Sequence, residues 1–295
     1  MNTKFTPLVS IVIPTYNQAN YLDRALQSVL GQTFKNWEAI IIDNHSIDST
    51  SEVILNYNDP RFKYIKIQNH GIIAKSRNTG VLLAKGEWIA FLDSDDWWES
   101  NKLTDCLNCV SEDVNLIYHD LEIVNNKKQY LRRKKIVKTR KLKKPILIDL
   151  LVHGNAISNS STIVRKRILE KIGLIDENKD LIAAEDFNTW LKIASFTDQF
   201  LYLPKRLGYY FVHDQSVSRK NMSLPVRHAT SKFLSSLNNK QKIKLESNIR
   251  YLSGRYNYLN LNYRIAKKDL LFTLRHGLYY LKLRALFMLF MMIFK

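Results

Sequence analysis

Cysteine is scarce, with two in 295 residues, which excludes a disulfide-stapled scaffold. Nine glycines and six prolines exclude collagen-like and proline-rich architectures. No internal repeat or low-complexity tract is present. The wholly apolar stretch from Ala285 to Phe294 has ten residues, too few for a bilayer core of about 30 Å. The opening MNTKFTPLVS lacks the apolar centre of a signal peptide, so a reduced, cytoplasmic compartment is expected. Neither GxGxxG nor GxxxxGK[ST] occurs, which argues against Rossmann dehydrogenases and P-loop enzymes. What is present is 45% hydrophobic residues and 11% aromatics, enough for a folded core.

The net charge of +18 is unevenly placed. Residues 1–126 carry a net −6, residues 127–144 a net +11, residues 145–218 a net −1 and residues 219–295 a net +14. A nucleic-acid enzyme more often spreads positive charge around its cleft, and no nucleic-acid partner is expected. Basic segments beside apolar helix point to an anionic membrane surface; a solvated basic surface is the alternative.

The first 125 residues alternate strand and helix. Leu8–Ile13 is an apolar, β-branched run ended by Pro14, as expected of a strand buried on both faces. Asn20 can cap a helix whose apolar face is Leu22, Ala25, Leu26, Val29 and Leu30, closed by Gly31. Strands are expected at Trp37–Asp43, Phe62–Ile67, Trp88–Leu92 and Asn115–Val124, with helices between. Repeated β-α-β units mean a doubly wound, mainly parallel α/β sheet. Further on, Ser160–Val164, Gln199–Leu203 and Gly208–His213 read as strands, and Arg165–Ile172 and Ala184–Ala194 as helices. From about Ser223, with Pro225 able to start a helix, the chain reads as helical. The expected division is a catalytic domain over 1–218, with the basic loop 127–144 inserted, and a helical, basic, amphipathic extension over 219–295.

Ligands in open α/β sheets sit at the carboxyl ends of strands. There the sequence places Pro14-Thr15-Tyr16-Asn17, Asp43-Asn44-His45-Ser46 and Asp93-Ser94-Asp95-Asp96. Three acids after a buried strand repel one another unless a positive charge lies between them, and hard divalent cations take carboxylate oxygens. The alternative is a cluster of helix N-caps, which accounts for one or two acids. Lys75 and Arg77 can meet phosphate charge.

The stretches PTYNQANYLDRALQSVLGQTFKNWEAIIIDNHSIDST, KSRNTGVLLAKGEWIAFLDSDDWW and AAEDFNTWLKIA resemble glycosyltransferase family 2, with its GT-A fold, over roughly residues 7–218. The resemblance implies transfer of a sugar, with inversion, from a nucleotide diphosphate donor, normally a UDP-sugar, using Mg²⁺ or Mn²⁺. It implies that Pro14, Thr15 and Tyr16 cradle the nucleobase and that Asp43 hydrogen-bonds it. Arg77 and Asn78 would line the ribose and diphosphate. Asp93 and Asp95 would be the DxD pair, with Asp95 the direct metal ligand and Asp93 nearer the ribose. Asp186, beside Glu185, would be the general base, with Glu185 next to the substrate. His213 of Tyr210-Phe211-Val212-His213 is a metal or diphosphate contact or an ordinary loop histidine; Phe211 stands where the family often has Arg, so an Arg contact there is not carried over. Trp190 walls the acceptor site or packs against the sheet.

His45 and His70 read as loop bystanders, and Cys106 and Cys109 as helix-face thiols without a second CxxC for zinc. In the tail, Leu271, Leu274, Leu278, Leu281, Ala285, Met288 and Met292 recur at helical spacing, flanked by Arg264, Lys268, Arg275 and Lys282. An in-plane membrane anchor fits; a docked helix or the seam of a homo-oligomer is the alternative. The acceptor then expected is a glycan or lipid-linked hydroxyl in surface polysaccharide synthesis, with the enzyme peripheral on the inner face of the membrane. Two other readings are a nucleotidyltransferase using the same metal–diphosphate chemistry and a polyanion-binding protein on a degenerate fold.

Overall fold

The computed structural model describes residues 7–125, 136, 137, 139–213 and 220–294. Most of the basic run 127–144, and residues 214–219 after His213, lie outside the described residues. The chain divides into two compact units, each assembled from three separate stretches.

The first unit comprises residues 1–141, 156–177 and 199–214. Its eight strands are β1 (Val9–Thr15), β2 (Trp37–Asp43), β3 (Phe62–Lys66), β4 (Trp88–Phe91), β5 (Trp97–Trp98), β6 (Leu116–Asn125), β7 (Ile163–Arg165) and β8 (Phe200–Val212). They form one mixed sheet in the order β3-β2-β1-β4-β7-β6-β8-β5. Pairs β1–β2, β1–β4, β2–β3 and β6–β8 are parallel, and β7 runs antiparallel to both its neighbours. The α/β class is as expected, and the parallel character is concentrated in the amino-terminal half. Helices α1 (Ala19–Leu30), α2 (Thr50–Leu55), α3 (Ile73–Leu83), α4 (Lys102–Leu107) and α6 (Lys166–Lys171) belong to this unit.

Several boundaries differ from the sequence reading for identifiable reasons. Strand β1 runs through Pro14 to Thr15. The β4 pairing ends at Val12–Phe91, so the proline's missing N–H costs no ladder bond. Helix α1 begins before Asn20, with Gln18 at its cap; Ala19 N–H instead donates to Asp48 Oδ2 at 3.1 Å. The two strands expected within 199–213 are one strand, β8, carried past Pro204-Lys205-Arg206 by register shifts against β6 at His119–Glu122. Pro225 falls in the first turn of its helix, where no intrahelical N–H is needed.

The core of this unit joins Ile11, Ile13, Leu26, Ile41, Trp88 and Ile117. Helix α3 lies close on the sheet because position 80 is glycine: a Cβ there would sit 2.4 Å from Val12 Cγ1. On the face of the sheet that carries α3, Glu38 Oε1 accepts from Ser10 Oγ at 2.6 Å and from Lys85 N–H at 2.7 Å, while Glu38 Oε2 pairs with Lys63.

The second unit comprises residues 142–155, 178–198 and 215–295. It is helical: α5 (Ile146–His153), α7 (Glu185–Ala194), α8 (Ser223–Ser231), α9 (Asn239–Leu259), α10 (Tyr263–His276) and α11 (Tyr279–Met291). Its stretches are tied by buried amides: Asn248 Nδ2 donates to Val152 O at 2.5 Å, and Asn188 Nδ2 to Ala229 O at 3.0 Å. A second core joins α9, α10 and α11 through Tyr251, Leu270, Leu281 and Ala285. Among the described residues no helix is long and apolar enough to cross a membrane.

Candidate active site

The carboxyl ends of β1, β2 and β4 lie side by side, because these strands are parallel neighbours in the sheet. Thr15 pairs in register with Asp43. Asp43 is buried. Its Oδ1 accepts from Ser46 N–H at 2.9 Å and Ser46 Oγ at 2.5 Å, and its Oδ2 from Tyr64 OH at 2.7 Å. Ser46 Oγ in turn accepts from Asn17 N–H at 2.8 Å. Three of about four acceptor positions on the carboxylate are therefore filled from within the protein. Asp43 organises the loops after β1 and β2 from below the surface, and Tyr16, 52% exposed, is the residue of the Pro14–Tyr16 segment that reaches solvent.

Asp93 follows the last residues of β4. Its Oδ1 accepts from Arg77 at 2.8 Å and from Asn159 Nδ2 at 2.9 Å, and its N–H donates to Ser160 Oγ at 3.1 Å. Arg77 comes from α3, and its buried guanidinium is aimed at the acid loop. Asn78, one residue on, has its amide engaged elsewhere: Nδ2 donates to Ile175 O and Glu177 Oε1, both at 2.8 Å, and Oδ1 accepts from Ile175 N–H at 3.0 Å. It holds the turn after α6 in place.

Asp95 Oδ2 lies 3.0 Å from His213 Nε2. The histidine stands just past the end of β8 and stacks on Tyr21, with ring centroids 5.0 Å apart. Burial and the Asp93 charge raise the Asp95 carboxyl above the usual range, with His213 opposing. Asp96 is wholly buried, and Phe211 N–H donates to its Oδ1 at 2.9 Å. Burial and the charges of Asp95 and Asp93 push its carboxyl well up. Arg24 on α1 supplies nearby positive charge. Its guanidinium sits 3.5 Å over the Trp97 ring and 4.7 Å from that of Phe211, and it donates to Asp95 O at 3.2 Å. Burial lowers the Arg24 pKa, while Asp96 and Asp95 oppose the shift.

The donor set fits a divalent ion of the Mg²⁺ or Mn²⁺ type. Carboxylate oxygens such as those of Asp93 and Asp95 are the hard donors these ions take, and Asp95 Oδ2 and His213 Nε2 stand 3.0 Å apart, a hydrogen-bond distance. Among the described residues, no group of three or more His, Cys, Asp or Glu converges to hold an ion alone, so most of the shell would come from substrate and water.

Asp186 and Glu185 form the first turn of α7, in the second unit. Asp186 is half-buried and Glu185 is buried. Trp190 on the same helix is buried, 1% exposed. His45 and His70 both have left-handed backbone and exposed side chains. Cys106 is buried on α4 and Cys109 is exposed beyond its end. The sequence reading missed Arg24, Tyr21, Asn159 and Ser160. Asn159 and Ser160 had one signal, a polar Asn-Ser-Ser run before an apolar strand. Arg24 had none, because Asp95, its partner, is 71 residues away.

Residues 10–173 match the family described as Glycosyl transferase family 2. Over 223 residues the chain is 31% identical to WfaP of Escherichia coli, a UDP-Glc:alpha-D-GlcNAc-diphosphoundecaprenol beta-1,3-glucosyltransferase, covering 75% of this chain and 84% of WfaP. A protein of Rickettsia bellii named an uncharacterized glycosyltransferase is 30% identical over 273 residues, 87% of this chain and 38% of its own. This chain spans 38% to 59% of the length of the Rickettsia relatives it matches. S. aureus TarS 1–349 in complex with UDP-GlcNAc superposes with a TM-score of 0.62 at 19% identity, covering 88% of each chain. The Pyrobaculum calidifontis mannosyltransferase PcManGT, in complex with GDP-Man and Mn²⁺, gives 0.63 at 15% identity, covering 94% of this chain and 77% of its own. At such identities these two likenesses concern the fold, which is that of GT-A glycosyltransferases. The matched family covers more than half of the chain, and the residues it spans include the carboxyl ends of β1, β2 and β4: the chain belongs to glycosyl transferase family 2.

Proposed function

We propose that this protein is an inverting, metal-dependent glycosyltransferase. It moves a sugar from a nucleotide diphosphate donor, a UDP-sugar, to a hydroxyl of a glycan or lipid-linked acceptor in surface polysaccharide synthesis, at the inner face of the membrane. The observation that carries this reading is the acid loop: Asp93 held by Arg77 and Asn159, and Asp95 set against His213, at the carboxyl ends of parallel strands. The named function of WfaP supports the donor and the lipid-linked acceptor.

Each side chain then has a task. Tyr16 offers an exposed ring to the base, and Asp43 fixes the Ser46 loop beside it. Arg77 neutralises Asp93 and holds its carboxylate toward the donor. Mg²⁺ or Mn²⁺ at Asp95 and His213, with Asp93 nearby, would supply Lewis-acid stabilisation of the departing diphosphate. Asp186 takes the proton of the attacking hydroxyl, a general-base contribution of typically about 10²–10⁴-fold; its support is its place in the Glu185-Asp186 segment that resembles the family's. Glu185 is buried beside it and positions the turn.

The test is a screen of nucleotide sugars by thermal unfolding with Mn²⁺, since a ligand that binds the folded state raises its stability, followed by transfer assays of the parent and Asp186→Asn. One UDP-sugar should raise the melting temperature, and Asp186→Asn should keep that shift while losing at least about 10²-fold in transfer. Full transfer by the variant would remove Asp186 from the mechanism, and transfer in excess chelator would remove the metal.

A further inference from the structure

Helix α11 is apolar on two opposite faces. Leu281, Ala285 and Met288 point inward and close the core made with α9 and α10. At about 100° per residue, Leu283, Leu286, Phe287 and Phe290 fall together on the other side, each 50% to 63% exposed, and Ile293 and Phe294 in the turn just past the helix are 76% and 68% exposed. Such a group of large side chains on one arc differs from the scattered exposed apolar residues normal on a surface. Lys282 and Arg284 fall at its two edges.

The surrounding charge is of one sign. From Asn262 to Phe294 the sequence has six Lys and Arg and one acid, Asp269. That acid is engaged by Ser253 Oγ at 2.6 Å, while Arg264, Lys267, Lys268 and Arg275 on α10 are exposed. A face with an apolar centre and basic borders complements a layer whose interior is hydrocarbon and whose surface is anionic. A partner protein of ordinary surface would match the apolar centre but gain nothing from so many bases.

We propose that the outward face of α11 is a membrane-docking surface. The helix lies in the plane of an anionic leaflet, with Phe287, Phe290 and Ile293 inserted among the acyl chains to a depth of about 5–10 Å. Lys282 and Arg284 sit at headgroup level, their aliphatic stems in the apolar layer. A span is excluded, because 13 residues at about 1.5 Å each reach about 20 Å. The inward face is covered by α9 and α10 within the same unit, and the outward face is the one assigned to lipid. This surface is independent of the donor site, and either reading can fail alone.

The test uses the full chain and substitutions on the exposed face, because truncation would remove the inward face from its core. Co-sedimentation is measured with vesicles of phosphatidylcholine, with and without phosphatidylglycerol. The parent should bind the anionic vesicles about tenfold more than the neutral ones. The double variant Phe287→Ser, Phe290→Ser should lose about tenfold or more of that binding with an unchanged melting temperature. Lys282→Glu with Arg284→Glu should remove the preference for phosphatidylglycerol. Equal vesicle binding by parent and Phe287→Ser, Phe290→Ser would overturn the proposal. So would a parent dimer, seen by light scattering, that becomes monomeric in that variant while neither form binds vesicles; the face would then be a seam between copies.

Discussion

His213 Nε2, just past β8, and Asp95 Oδ2, in the loop after β4, face each other at 3.0 Å. The contact joins residues 118 apart in sequence, and both are held from behind. Tyr21 stacks on the imidazole, and Asp96 accepts from the backbone of Phe211, two residues before it. If this pair receives a divalent ion, His213→Ala should weaken Mn²⁺ binding by about tenfold or more while leaving the fold intact. Titration of the free ion by electron paramagnetic resonance reads this without turnover, and unchanged affinity would remove His213 from the metal site.

The buried Asp96 holds the backbone of Phe211 beside the acid loop. Asp96→Ala removes the acceptor of a buried N–H, which costs about 1–3 kcal/mol. Asp96→Asn keeps an acceptor for Phe211 and should recover most of that loss. Arg24→Met removes the guanidinium from Trp97 at a cost of about 0.5–2 kcal/mol. Denaturant unfolding of the three variants checks the order, with Asp96→Ala expected to melt first.

Two buried bases make the fold sensitive to acid. Burial pushes the Lys102 ammonium down to about 7 and the His119 imidazole down to about 3; the Lys102 amine sits 3.6 Å over Trp98. Both are therefore more readily protonated in the unfolded chain. Stability should rise with pH from about 7 to 10 as the unfolded chain gives up its lysine proton, and fall from about 6.5 toward 3 as the unfolded chain takes up its histidine proton. Lys102→Met should flatten the upper limb and stabilise the protein at pH 7 by on the order of a few kcal/mol. An upper limb equally steep in parent and variant would show that Lys102 is not the cause.

Glu38 titrates with the opposite sign. Burial alone would raise its carboxyl, but Lys63, Ser10 and the Lys85 N–H outweigh it and hold the pKa below the usual value. Its contribution is present above about pH 4.5 and is lost as the pH falls through the lowered value. Glu38→Gln should melt earlier at pH 7, and the gap between variant and parent should shrink in acid.

Much of the first unit was legible in the residues. The largely apolar, β-branched runs of β1 and β2 and the amphipathic spacing of α1 point to their elements because burial on two faces or on one stripe leaves a trace in the sequence. The carboxyl-end acids were visible for the same reason: charge after a buried run stands out. Other features leave no such trace. β5 is two residues long, too short for alternation. β8 passes through a polar Pro204-Lys205-Arg206 that looks like a break. The Asn78 amide and the Arg24 guanidinium hydrogen-bond partners 97 and 71 residues away, and no local pattern encodes them. The two-faced character of α11 was half legible: the sequence showed a wholly apolar stretch from Ala285 to Phe294, and packing was needed to show which side was spent.

Gly80 sets a mechanical tolerance for the site. With no side chain there, α3 rests its backbone on Val12, and any added carbon would meet a Cγ of that valine at 2.4 Å. Arg77 is less than one turn upstream on the same helix, so the height of α3 above the sheet also determines how far its guanidinium reaches. A single methyl, as in Gly80→Ala, acts as a shim under the helix. It should lift Arg77 away from Asp93 and weaken donor binding, beyond any loss of melting temperature, although residue 80 touches no ligand.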